Sequence, residues 1–105
     1  MSIRIERHDE AEGIRLVVHG DVDMTTGDRL ESELLRAERE QPGTLTLDLC
    51  DVDFFDSTGL QLLLDADVRA HEEDRRVVVI PGDGEAARVL ALAEVSDRLN
   101  VAVIE

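Results

Sequence analysis

The chain contains no lysine: every one of its eleven basic residues is arginine. That absence removes whole classes of chemistry. A P-loop NTPase sets a lysine on its phosphates, and a pyridoxal enzyme needs a Schiff-base lysine. A phospho-acceptor aspartate of the response-regulator type implies a lysine on a late strand, so the strand-end aspartates here do not complete that arrangement. There is no tryptophan or tyrosine, and the single cysteine, Cys50, permits no internal disulfide. The expectation from cysteine usage is a cytoplasmic protein. No apolar run approaches the ~20 residues of a membrane helix. The start, MSIRIERHDE, lacks the apolar stretch of a signal peptide. Positive charge is scarce, and the formal net charge is −14. Phosphate backbones would be repelled, as would anionic membrane surfaces, so neither nucleic acid nor membrane is expected as a partner. A protein with a basic face is favoured.

What is present is a core. Hydrophobic residues make up 43% of 105 residues, enough for one domain spanning 1–105. Alternation predicts a short strand over 3–5, a polar turn over 8–13 and a β-branched strand over 14–19 (IRLVVH). Gly20 breaks this run. Leu30, Leu34 and Ala37, with Leu35 beside them, then take helical spacing, with Thr25 or Thr26 as cap and Arg29–Glu33 and Arg36–Glu40 as i,i+4 pairs. Strands are predicted over 44–49 (TLTLDL), 77–80 (VVVI) and 101–104, and a helix over 85–93. Leu60, Leu63, Leu64 and Val68 form an expected buried stripe on a helix beginning near Ser57. The order β-β-α-β-α-β-α-β predicts an α/β fold with a mixed sheet: an antiparallel opening hairpin, then parallel strands joined by right-handed crossovers.

The only two phenylalanines sit at the centre, in FFDSTGL, residues 54–60. Thr58 with Gln61 fits a capping box, and Asp56 or Ser57 could cap instead. If Thr58 takes the cap, the Ser57 hydroxyl is left free beside the positive end of a helix, where a phosphate is locally favoured and Asp56 opposes it. The carboxylates Asp48, Asp51, Asp53 and Asp56 do not make a calcium loop, because position 5 counted from Asp51 is Phe55 and position 6 is Asp56 rather than glycine. They read as solvated turn residues, and no metal or cofactor is expected. Serine-hydrolase chemistry lacks its nucleophile turn, and His8, His19 and His71 show no motif that would supply a base. Cys50, after an apolar strand, is expected to be a small buried residue. No enzyme is expected.

LTLDLCDVDFFDSTGLQLLLDA resembles the signature of the STAS domain family, specifically bacterial anti-sigma factor antagonists. VVHGDVDMTTGDRLE resembles the family's Gly-Asp-Val-Asp segment before the first long helix. The resemblance implies a single STAS-like domain in which Ser57 is phosphorylated by a partner that is both serine kinase and anti-sigma factor. Unphosphorylated, the antagonist binds that partner and frees the sigma factor; phosphorylated, it lets go, and a metal-dependent serine phosphatase resets it. It further implies that Asp56, Thr58 and Gly59 surround the switch, with Asp21, Asp23 and Thr25 on the same contact surface. Two alternatives share the fold without the switch: a scaffold subunit of a larger STAS assembly, and a soluble component of a lipid transporter.

Overall fold

The computed structural model describes residues 2–93 and 100–101. Its elements run β1 (Ile3–Glu10), β2 (Gly13–Val22), α1 (Gly27–Glu38), β3 (Thr44–Phe55), α2 (Ser57–Glu72), β4 (Arg76–Ile80), α3 (Glu85–Leu92) and β5 (Asn100–Val101). The sheet order is β1-β2-β3-β4-β5. β1 is antiparallel to β2 and the remaining neighbours are parallel, as the alternation of strands and helices predicts. The predicted last strand begins within β5, and its residues 102–104 lie outside the described residues.

The core follows from the period-2 pattern of the strands. Ile14 pairs with Leu45 and Leu45 with Val77; Leu16 pairs with Leu47 and Leu47 with Val79. These rows of buried side chains face one way. Against them pack Leu30, Leu34 and Ala37 of α1, Leu63, Ala66 and Ala70 of α2, and Ala86 and Leu90 of α3. α1 touches α2, and α2 touches α3. Three crossovers of one hand progressing in one direction across the sheet place all three helices on that face. The other face carries Arg15, Val17, His19, Thr46 and Val78, all half-buried.

Three predicted features are corrected here. Gly20 does not end β2. The strand bends through it with φ +97° and a register shift, and continues to Val22. A Cβ at Gly20 would lie 2.5 Å from the Ser2 carbonyl oxygen, so only glycine permits the bend. Secondly, the buried stripe of α2 is Gly59, Leu63, Ala66, Asp67 and Ala70. Leu60 and Leu64 are half-buried against the core, and Val68 is 51% exposed. Small residues let the helix approach the sheet, and a reading weighted to leucine rotates the face away from them. Thirdly, the two i,i+4 pairs of α1 are replaced. Arg36 reaches Glu33, while Glu40 joins Arg7 of β1. Leu35 lies at the exposed margin.

α1 and α2 are also joined by a buried ionic clamp. The Glu38 carboxylate, 8% exposed, accepts two hydrogen bonds from Arg69 at 2.7 and 2.8 Å. Arg75, equally buried, lies 3.9 Å away.

Candidate phosphorylation and docking site

The site stands where β2 and β3 end side by side. Val22 pairs with Phe55, and the Asp56 N–H donates to the Val22 carbonyl at 3.3 Å. This fixes where the chain leaves the sheet. Asp56 keeps extended backbone (φ −126°, ψ −165°), and its Oδ1 accepts the Thr58 N–H at 2.8 Å. The cap of α2 is therefore Asp56, not Thr58. The helix begins at Ser57, which places Thr58 inside the first turn, where it cannot act as the non-helical cap. Gln61 does not reach back either; its side chain donates to Asp65 at 2.9 Å. Thr58 instead packs its methyl group toward α1: a Cβ on Gly27 would lie 2.8 Å from it.

Ser57 is the first residue of the helix and is exposed. Among the described residues its hydroxyl has no hydrogen-bond partner. Two residues on, Gly59 lies against the buried Phe55 ring; a Cβ there would come within 2.5 to 2.9 Å of three ring carbons. The Phe55 ring thus fixes the height at which α2 sits on the sheet, and with it the position of Ser57.

The facing loop is built around Asp23. Its Oδ1 accepts the Thr25 N–H at 2.8 Å and the Thr25 hydroxyl at 2.6 Å. Thr26 Oγ1 accepts the Asp23 N–H at 3.0 Å and donates to the Asp21 carbonyl at 2.7 Å. The Thr25 hydroxyl holds the Asp23 carboxyl below its ordinary pKa, burial opposes this, and the N–H groups of Thr25 and Thr26 add to the lowering. Asp23 is a structural hub of this loop.

The seven residues singled out lie on two segments, 21–25 and 56–59, at the adjacent ends of β2 and β3. Thr25 and Ser57 are exposed; Asp21, Asp56 and Thr58 are half-buried; Asp23 and Gly59 are buried and shape the surface from beneath. Two further exposed side chains stand near the same ends of β2 and β3. Met24, 86% exposed, projects from the loop between Asp23 and Thr25, and Phe54, 39% exposed, sits opposite Asp21. Alternation did not mark Phe54, because β3 is irregular here: Asp53 and Phe54 are both exposed between the buried Val52 and Phe55.

Cys50 departs from expectation, because it is exposed rather than buried. β3 is irregular here. After Leu49 two consecutive residues, Cys50 and Asp51, are exposed, alongside the register shift opposite β2. Partial burial of the thiol, then its hydrogen bond to Asp48 and the charges of Asp48 and Asp51, push its pKa up, which works against thiolate chemistry. Among the described residues no group of three or more histidine, cysteine or acidic side chains could hold a metal ion. No helix among them is long and apolar enough to cross a membrane. Among the described residues, two open cavities of about 670 and 390 Å³ lie at the opposite end of the domain, around Glu38 and around Gly13.

The chain resembles several solved structures. An anti-sigma factor antagonist from Mycobacterium paratuberculosis is 25% identical, with a TM-score of 0.82 over 95% of this chain and 85% of that one. The unphosphorylated anti-sigma factor antagonist SpoIIAA is 13% identical, with a TM-score of 0.77 over 94% of this chain and 88% of its own. The phosphorylated form of SpoIIAA from Bacillus is 15% identical, with a TM-score of 0.70 over 96% and 91%. At those identities the SpoIIAA structures speak for the fold. No curated protein matches the chain. The family model described as Mlab, STAS domain, matches residues 5–103, nearly the whole length, and so the chain belongs to the STAS domain family.

Proposed function

We propose that this protein is an anti-sigma factor antagonist whose affinity for its partner is set by phosphorylation of Ser57. The observation that carries the reading is the state of that hydroxyl: exposed, without a partner among the described residues, and on a helix start already capped by Asp56. Modification there need not unfold the helix. The unmodified surface of Asp21, Thr25, Asp56, Ser57 and Thr58 binds an anti-sigma factor with serine kinase activity and so frees the sigma factor. The kinase transfers the phosphoryl group to Ser57, the antagonist dissociates, and a metal-dependent serine phosphatase restores it. The protein itself is a substrate and a ligand, not an enzyme, and acts in the cytoplasm. The likeness to the Mycobacterium paratuberculosis antagonist supports this reading. The test is mass spectrometry of the chain after incubation with candidate serine kinases and ATP. Phosphate on Ser57, absent from Ser57→Ala, is expected; phosphate on Thr58 instead, or on neither, would overturn it.

A second reading is favoured by one observation, the description of the matching family as Mlab, STAS domain. Here the chain is a soluble subunit of a lipid transporter and docks without a switch. Stable co-purification with a transporter ATPase, unaffected by Ser57→Glu, would select it.

A further inference from the structure

The end of the domain that carries Ser57 is unlike the rest in charge. The segments 20–29, 50–58 and 81–84 lead from the C-terminal ends of β2, β3 and β4. Together they hold seven aspartates and one basic residue, Arg29. The opposite end is mixed, with Arg39, Arg75 and Arg76 among its acids. Within the acidic end stand Met24 and Phe54, two of the five exposed large hydrophobic side chains among the described residues. Both stand near the paired ends of β2 and β3: Phe54 pairs with Asp21 and lies three residues before Ser57 in the chain, and Met24 lies two residues past Val22, whose carbonyl accepts the Asp56 N–H. The loop carrying Met24 is braced by Asp23, Thr25 and Thr26, so the exposed side chain is displayed from a fixed backbone.

From this we infer that Met24 and Phe54 are the apolar anchors of the docking surface, and that the partner is a protein presenting an apolar socket rimmed by arginine or lysine. The inference rests on the proposed antagonist function and specifies how that partner is recognised. Apolar anchors ringed by charge divide the work of binding. Anchors set the dissociation rate, and rim charges set the encounter rate and its salt dependence. A consequence follows for the switch. A phosphate at Ser57 makes this end more negative, so it cannot slow encounter with a basic partner. It acts at contact, where it must be desolvated in the docked interface. Phosphorylation therefore raises the dissociation rate and leaves the association rate unchanged or higher.

The test is stopped-flow binding of the full chain to a purified anti-sigma factor carrying a serine kinase domain, at about 0.05 and 0.5 M salt, a range over which screening of rim charges changes strongly. Met24→Ser/Phe54→Ser is compared with Val68→Ser/Leu92→Ser, which alters exposed apolar residues away from the site, and with Asp53→Asn. Thermal melts confirm folding. The anchor variant should dissociate about 30-fold faster with an unchanged association rate. The control pair should match the parent. Asp53→Asn should slow association at low salt only, and the phosphorylated parent should differ from the unmodified one in dissociation. Parent-like dissociation of the anchor variant, or equal loss in the control pair, would overturn the inference while phosphotransfer to Ser57 left the function standing. A partner that binds through Met24 and Phe54 but never modifies Ser57 would do the reverse.

Discussion

Gly59→Ala is the substitution that most sharply tests how the site is held. In an ordinary helix interior the change stabilises by roughly 0.5–1 kcal/mol, because alanine has less backbone entropy to lose. Here the added methyl would sit 2.5, 2.7 and 2.9 Å from Cε1, Cζ and Cδ1 of Phe55. Those are distances that real side chains do not adopt, and the ring is 1% exposed, with no solvent into which to swing. Relief requires α2 to lift or the ring to leave its rotamer, at about 1–3 kcal/mol for an overpacked site. Net destabilisation of about 1–2 kcal/mol is expected, a fall in melting temperature of roughly 4–12 °C for a domain of this size. The assay is thermal and urea unfolding of the parent, Gly59→Ala, Phe55→Leu and the double variant. The smaller, flexible leucine should absorb the methyl group, so the double variant should be less destabilised than the sum of the singles. A Gly59→Ala protein as stable as the parent, or strict additivity, would refute the claim that the Phe55 ring sets the height of α2.

Other expectations are checked by the same unfolding measurements. Leu63→Ala should cost about 2–5 kcal/mol, while Val68→Ala, at a half-exposed position, should stay within about 0.5 kcal/mol; comparable losses would show the face of α2 to be misassigned. Asp56→Ala removes the cap and should cost about 1 kcal/mol, more than Thr58→Ala, and the reverse order would restore Thr58 as the cap. Burial alone would raise the Asp48 carboxyl, but the Cys50 N–H and the Arg15 guanidinium outweigh it and hold its pKa below the usual value. A lowered folded pKa stabilises above the unfolded value of about 3.9 and loses that contribution as pH falls through the folded one. The gap in urea midpoint between parent and Asp48→Asn should thus be constant from pH 7 to about 5 and close in more acidic solution; a gap that widened in acid would contradict the sign.

The fold was legible in the sequence because its strands announce themselves. Alternation in residues 14–19 and 44–49 gave both the strands and the face that meets the helices, and the sequential order of strands and helices gave the parallel sheet. Strand ends were not legible. Gly20 resembles a terminator, and only its contact with the Ser2 carbonyl shows that it is a bend within β2. The cap was ambiguous for a related reason. Asp56, Ser57 and Thr58 can all cap, and the choice among them is made by Phe55, whose pairing with Val22 fixes the last extended residue. The surface of the site was half visible. Its polar members lie in two recognisable segments, but Asp23 proves to be an internal brace, and only the pairing of β2 with β3 shows that exposed Met24 and Phe54 stand near the same strand ends.

The central claim, that a phosphate on Ser57 decides partner choice, is tested most directly by titrating one anti-sigma factor with the unmodified and the Ser57-phosphorylated chain. Modification adds about −1.5 to −2 charges. A contact penalty of about 3 kcal/mol would weaken binding roughly 100-fold. The account predicts tight binding by the unmodified form and by Ser57→Ala, with loss of about two orders of magnitude on phosphorylation and an unchanged melting transition. Equal affinity of the two forms, or a loss of affinity that merely tracks unfolding, would contradict it.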